Sequence, residues 1–267
     1  MKKFIRILEY IFWILLTSGL FALLGFTYLE HDSLVCQHYD ITIDYGNADV
    51  LITKDDIYLI AKQTGHILKG EKFGMINAGK MESAIRKQPY IAKANVYVTI
   101  EGNVQIDIVQ RQPILRIFNQ RGESYYLDGT GHLLPLNPDF SARVPIANGF
   151  IPESYSKSAN YLQDSIHIKD SVQNKSVMNN LFRLSNYIMK DAFLKALIDE
   201  IYVCNSGEFE LIPKIGNQVI VFGKAENMKD KFSRLLLFYR HGLNKTGWNK
   251  YNVINIKYNN QVVCSKI

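Results

Sequence analysis

The sequence predicts an α+β protein carried on a single N-terminal transmembrane helix, with a β-α-α-β-β module first and a mixed, mainly antiparallel β domain with two covering helices after it. Three observations predict this. An uncharged apolar run stands near the N-terminus. Behind it, period-two and helical hydrophobic patterns succeed one another in short blocks. The composition, 47% apolar and 21% charged over 267 residues, is that of a folded globular chain and excludes a largely disordered or fibrous protein. Such a length holds one large domain or two small ones beside a membrane segment.

The apolar run is Tyr10–Leu29, YIFWILLTSGLFALLGFTYL, and it carries no charge. About 20 residues rising about 1.5 Å each span a hydrocarbon core of about 30 Å, so residues 10–29 are read as a transmembrane helix. Lys2, Lys3 and Arg6 precede it with only Glu9 opposing them, and Glu30 and Asp32 stand behind it. The positive-inside rule therefore makes residues 1–9 a cytoplasmic tail and exports the chain from about residue 30 onward. Trp13 and Tyr28 fall where interfacial aromatics belong. A cleaved signal peptide is the rival reading, but its apolar core is usually about 7 to 15 residues and ends in a small-x-small site. Here the run is longer and ends in Tyr28-Leu29-Glu30-His31. Cys36 does not fit a lipoprotein site, because acidic residues separate it from the apolar run and Val35 is bulky.

A first exported module is expected over residues 37–112. Tyr39, Ile41, Ile43 and Tyr45 alternate with Asp40, Thr42 and Asp44, a half-buried strand that Gly46-Asn47 ends. Thr53 with Asp56 three residues on resembles a capping box, opening a short helix with Ile57, Ile60 and Ala61 at helical spacing. A second helix begins near Asn77, turns Met81, Ala84 and Ile85 inward, and must stop before Pro89. Tyr90–Ile100 and Val104–Val109 then alternate around Glu101-Gly102-Asn103, a β-hairpin signal. Two helices covering one face of three strands is a compact α+β unit.

The remainder, residues 113–267, is expected to be the β domain. Tyr125–Asp128, Gly129-Thr130-Gly131 and His132–Pro135 read as strand, turn, strand, with a short strand at Arg143–Ala147 in the loop-rich stretch Asn137–Ser165. A helix is expected from Val172 to Met189 with Val177, Leu181, Leu184 and Ile188 on one face. Ala196–Cys204, Glu208–Ile212 and Gln218–Phe222 read as an antiparallel meander. A helix from Glu226 to His241 turns Met228, Phe232, Leu235, Leu236 and Tyr239 inward, with Gly242 as its C′ residue. Tyr251–Tyr258 is read as the last strand, with Asn259-Asn260-Gln261-Val262-Val263-Cys264 behind it.

The element order, the phrase Gln88-Pro89-Tyr90-Ile91-Ala92-Lys93-Ala94-Asn95-Val96 and Arg111-Gln112-Pro113 after the hairpin together resemble the FtsQ/DivIB family of bacterial cell-division proteins, whose first exported module is a POTRA domain. Tyr126-Leu127-Asp128, Gly131 and Leu134-Pro135 are similar to a phrase that the family carries at the same place, and the tail is similar to a Bacteroidetes-like branch. The resemblance implies a non-catalytic divisome scaffold of the inner membrane, single-pass, with its bulk in the periplasm and enriched at the septum. It implies partners of FtsB/FtsL type, held by the C-terminal domain and by POTRA contacts.

Chemistry outside that reading finds little support. The histidines at 31, 38, 66, 132, 167 and 241 show no H-E-x-x-H or other short metal spacing, and no cofactor is expected. Asp128-Gly129-Thr130-Gly131 has Leu134 where a dinucleotide loop needs its third glycine, and a strand comes next where that loop needs a helix. No nucleophile is tied to a base, so no catalytic residue is assigned and a membrane-anchored hydrolase is disfavoured. The net charge of +6 arises from 31 basic and 25 acidic residues that are interspersed, which argues against a nucleic-acid partner; no small-molecule substrate is expected. The triplets at Asn174 and Asn244 carry no weight. Cys204 and Cys264 could pair if the fold brought them together.

The terminal strand carries the site expectation. A strand at a sheet edge can accept a partner strand by β-augmentation, and Tyr251, Val253, Ile254, Ile256, Tyr258, Val262 and Val263 would line that C-terminal edge. One face of it must fill the core. The alternative is a POTRA-bearing envelope component assisting outer-membrane protein assembly or secretion, although neither a repeated module nor a series of lipid-facing strands is present.

Overall fold

The computed structural model describes residues 10–23, 25, 35, 36, 38–64, 70, 76–99, 101, 103–155, 176–243, 247 and 250–266. The expected tail 1–9, residues 24 and 26–29 of the expected span, residues 172–175 of the expected helix and, apart from Ser176, both Asn triplets lie outside them. Residues 10–23 form a helix whose side chains are all exposed. Among the described residues no helix is long and apolar enough to cross a membrane. At about 1.5 Å per residue, the described turns from 10 to 23 cover about 21 Å.

The chain divides into two compact units, Met1–Asp44 with Ile52–Gln110, and Tyr45–Leu51 with Arg111–Ile267. The break thus falls after Gln110, two residues before the boundary expected after Gln112, and the turn after the first strand belongs with the second unit.

In the first unit, β1 (Tyr39–Asp44), β2 (Ile91–Val98) and β3 (Val104–Gln110) form a sheet of order β1-β3-β2, β1 lying parallel to β3 and β2 antiparallel to it. Helix α1 (Lys54–Gln63) opens on the expected capping box. The Asp56 amide donates to Thr53 Oγ1 at 3.3 Å and the Thr53 amide to Asp56 Oδ2 at 2.8 Å, so two donors that a helix start leaves orphaned are satisfied reciprocally. Asn77 caps α2 (Ala78–Arg86) through the Lys80 amide at 2.9 Å, and the helix stops before Pro89. Ile57, Ala61, Met81 and Ile85 turn fully inward onto Ile41, Ile106 and Ile108, the apolar face of the sheet. Ala84 is only partly covered.

The second unit is one nine-stranded sheet of order β12-β11-β10-β9-β8-β7-β4-β5-β6. Its strands are β4 (Pro113–Phe118), β5 (Ser124–Asp128), β6 (Leu133–Leu134), β7 (Ile146–Gly149), β8 (Ile198–Val203), β9 (Phe209–Pro213), β10 (Val219–Gly223), β11 (Tyr251–Asn255) and β12 (Val263–Lys266). Helices α3 (Val177–Lys190), α4 (Ala192–Leu197) and α5 (Met228–Leu237) pack Leu181, Leu184, Ile188, Leu194, Phe232 and Leu235 against one face. On that face stand Leu115, Ile117, Ile201, Leu211, Ile220 and Ile254, all fully buried. The meander β8-β9-β10 is antiparallel. β11 then runs parallel to β10, because α5 carries the chain back across the sheet.

Several expectations need correction. β4 has no counterpart among the expected strands, because Pro113 stands at its first residue, where a proline needs no ladder partner, and Ile114-Leu115-Arg116-Ile117 does not alternate. The strand expected from Ala196 begins at Ile198; Ala192–Leu197 is helical, with Asp191 accepting from the amides of Phe193 and Leu194 at 2.9 Å each. The short strand lies at Ile146–Gly149, not Arg143–Ala147. Gly149 has φ +94, and a Cβ there would lie 2.4 Å from the Val203 carbonyl oxygen, so only glycine lets β7 approach β8. Gly242 is not a C′ cap: a π-helical turn, Phe238–Leu243, continues α5. A Cβ on Gly242 would lie 2.7 Å from the Phe238 ring.

Candidate functional site

The end of the large sheet is built by α5, β11, β12 and the connection between the two strands. β12 pairs antiparallel with β11, Val253 facing Ser265, Ile254 facing Cys264 and Asn255 facing Val263. The Ile256 amide donates to the Val221 carbonyl at 3.0 Å. Backbone groups alternate sides along a strand, so Ile254 and Ile256 address β10 while Val253 and Asn255 address β12. The same alternation turns Val263 and Ser265 of β12 toward β11, and it turns the N–H and C=O of Cys264 outward, along an edge that no described strand covers.

The expected residues separate accordingly. Ile254 and Ile256 are 0% exposed and belong to the core; Tyr251 and Val262 pack partly against it, Tyr251 with its ring 6.2 Å from that of Phe238. Val253 is partly exposed on the sheet face away from the helices. Tyr258, 51% exposed, lies in the connection, and Val263, 46% exposed, lies on β12. The strand expected at the edge, Tyr251–Tyr258, is therefore an inner strand that ends at Asn255, flanked by β10 and β12. The edge is β12, a segment that in the sequence alone looks like a tail. Asn259-Asn260, with Asn260 at φ 58, is the turn signal between the two alternating runs.

Seven residues, 256–262, connect β11 to β12, and those at 257–261 are all exposed, so no apolar burial holds them. Polar clamps do. Arg234 on α5 donates from Nη1 to the carbonyls of Tyr258 and Gln261 and from Nη2 to that of Ile256 at 3.3 Å, while its Nε meets Asp230 at 3.1 Å. Lys257 Nζ pairs with Glu208 at 2.6 Å, and that bond raises the lysine pKa. α5 is itself pinned by Lys231, 5% exposed, whose Nζ donates to the carbonyls of Phe222 at 3.0 Å and Lys224 at 2.7 Å. Burial lowers the pKa of that ammonium. Nothing in local sequence marks Arg234 as a clamp, since the carbonyls it holds are 22 to 27 positions away.

Cys204 and Cys264 are both free thiols. Cys204 lies just past β8 and Cys264 lies on β12, with β9, β10 and β11 between them. Four strand spacings of about 4.8 Å separate them by about 19 Å, beyond the reach of a disulfide. Burial pushes both thiols up.

At the other end of the sheet, Asp128 organises the Gly-rich turn. It accepts from Arg111 Nη1 at 3.0 Å, the Thr130 amide at 2.9 Å and the His132 amide at 2.7 Å, with only 3% of its side chain exposed. Burial, and then the Arg111 charge, hold His132 below the usual histidine range. The motif is thus a structural turn. The first unit carries a groove of about 540 Å³ lined by β1, β2 and β3, with Thr42, Asp44, Lys93 and Asp107 among its residues. Among the described residues no group of three His, Cys, Asp or Glu side chains is placed to hold a metal ion.

A small α+β unit followed by a large sheet that ends in a clamped edge strand defines a two-module α+β protein. The family model described as FtsQ/DivIB, C-terminal related matches residues 112–265, more than half of the chain, and the protein belongs to this family. A POTRA-like domain model matches residues 34–109. No curated protein matches the sequence significantly. The FtsQ/DivIB family and the POTRA-like domain together make the chain a division-related scaffold protein.

Proposed function

We propose that this protein is a single-pass divisome scaffold of the bacterial inner membrane, with its N-terminus in the cytoplasm and its bulk in the periplasm at the septum. Its β12 edge takes a strand from a membrane partner of FtsB/FtsL type, and its POTRA-like domain contributes to recruitment. The observation that carries this reading is β12 itself, a terminal strand whose outer backbone groups at Cys264 face away from the sheet while its inner side is fixed to β11. Such an edge supplies main-chain hydrogen bonds to an added strand, and exposed Val263 and Tyr258 supply side-chain contacts.

The anchor reading rests on residues 10–23. Tyr10, Ile11, Phe12, Trp13, Ile14, Leu15, Leu16, Leu20, Phe21 and Leu23 are all at least half exposed, an apolar surface that no part of the described chain covers and that hydrocarbon would. The threonine and serine hydroxyls in this stretch are satisfied within the helix, Thr17 donating to the Trp13 carbonyl at 2.9 Å and Ser18 to that of Leu15 at 3.1 Å. A lipid-facing helix requires that arrangement.

Depletion of the protein in its own bacterium, scored by cell length, septum position and outer-membrane protein content, tests the reading. Filaments or chains with normal outer-membrane content are expected. Normal septation with depleted outer-membrane barrels would refute the scaffold and favour an assembly role.

A further inference from the structure

Arg234 does something that neither its helix nor the core requires. Its side chain is 13% exposed, and its guanidinium ties down the carbonyls of Ile256, Tyr258 and Gln261, the backbone that connects β11 to β12. Asp230, one turn earlier on α5, meets Nη2 at 3.0 Å and sets the guanidinium's direction. A planar, always-charged fork suits several fixed carbonyls at once, whereas a lysine presents a single point charge.

Beyond its ladder with β11, β12 has little else to hold it. Of its four residues three are exposed, and only Cys264 and the preceding Val262 rest on the core. Short strands with so little burial open readily and independently of the global fold. A strand that must order as its partner arrives binds more weakly than one already in place.

We infer that Arg234 is a positioning residue for the interaction edge: by closing the β11–β12 connection onto α5 it keeps β12 formed in the free protein, so that the outward backbone groups at Cys264 are preset for an incoming strand. The ordering of β12 stands on the geometry alone. Its consequence for division rests on the edge-pairing reading.

The test is amide hydrogen exchange on the full chain in lipid nanodiscs, comparing wild type, Arg234→Gln and Arg234→Lys. The Val263 and Ser265 amides, directed at β11, should exchange about ten- to a hundredfold faster in Arg234→Gln, the range that loss of a charge-assisted hydrogen bond gives. β8, β9 and β10 should keep wild-type protection and the melting temperature should hold, which a general loss of structure would not allow. Arg234→Lys should recover part of the protection, one carbonyl instead of three. Val263 and Ser265 rates within twofold of wild type in Arg234→Gln would overturn the inference.

A second arm replaces the chromosomal copy with each variant at native level and scores septation. Faster β12 exchange together with filamentation supports pre-ordering of the edge; faster exchange with normal septation overturns its role in division. A chain truncated after Val262 separates the two ideas. If that chain septates normally, the edge-pairing reading fails, whatever the exchange rates show.

Discussion

On the proposed pairing, Cys264→Pro should weaken partner binding by more than tenfold and leave the protein folded. The backbone N–H of Cys264 points outward because its neighbours Val263 and Ser265 face Asn255 and Val253 across the β11–β12 ladder. Proline at 264 therefore removes an edge donor without breaking a bond to β11, and edges are where sheets tolerate proline. Val263, extended in β12, already has the conformation that a residue before proline needs. Losing the donor removes a net interaction of about 1 kcal/mol and strands the partner's carbonyl, worth about 1–3 kcal/mol more. The sum, about 2–4 kcal/mol, weakens binding by roughly 30- to 1,000-fold. The assay is fluorescence anisotropy of the labelled periplasmic segment of the FtsB-type protein against the full chain in nanodiscs, with melting monitored by circular dichroism. Ser265→Pro is the contrasting variant, since it removes an amide directed at Val253 and should detach β12. A Cys264→Pro protein that melts like wild type and binds within threefold of it would refute pairing at this edge.

Other substitutions test the fold that positions the edge. Gly149→Ala should destabilise the second unit by about 3 kcal/mol or more in urea titration, because the added Cβ lies 2.4 Å from the Val203 carbonyl oxygen and φ is +94; a change under about 1 kcal/mol would mean that β7 and β8 can move apart at little cost. Asp128→Ala should cost about 3–5 kcal/mol by leaving Arg111 and two turn amides without their shared acceptor, read as a lower urea midpoint. Burial pushes the Tyr239 hydroxyl up to about 12 from 10.0. The folded state thus holds this proton more tightly, so the contribution is fully present below pH 10 and is lost as pH rises toward 12. Two pKa steps correspond to about 2.7 kcal/mol. Tyr239→Phe should flatten that alkaline limb in pH-dependent melting, and an unchanged limb would exclude Tyr239 as its source.

Elements whose signals are local were legible. Thr53 with Asp56, Asn77 and the alternation around residues 101–103 each fix a helix start or a turn by bonds within a few residues, and the structure contains both caps and the hairpin. What escaped depends on tertiary neighbours. Ile114–Ile117 is a strand because β5 and β7 flank it, and its unbroken apolar run carries no period. Ala192–Leu197 is too short for a helical period to show, and Asp191 serves at once as C-cap of one helix and N-cap of the next. The edge is displaced by one strand for a related reason. Tyr251–Asn255 and Val263–Lys266 both look terminal in sequence, and only the order of the sheet shows which lies outermost.

That displacement sharpens the functional argument. Had β11 been the edge, an incoming strand would have paired with the backbone of Val253 and Asn255 on a strand seated on the core by Ile254. With β12 outermost, the pairing surface is a strand with one half-buried side chain, and its order is set by polar contacts from α5. Stability and interaction are thereby carried by different residues. Lys231, Phe232 and Leu235 hold α5 on the sheet, and Arg234, on the same helix, reaches over to the edge. Substitutions in the first group should lower stability and binding together, whereas Arg234 should move binding with little loss of global stability. A scan of α5 that found the two losses proportional at all four positions would mean that the edge has no order of its own to lose.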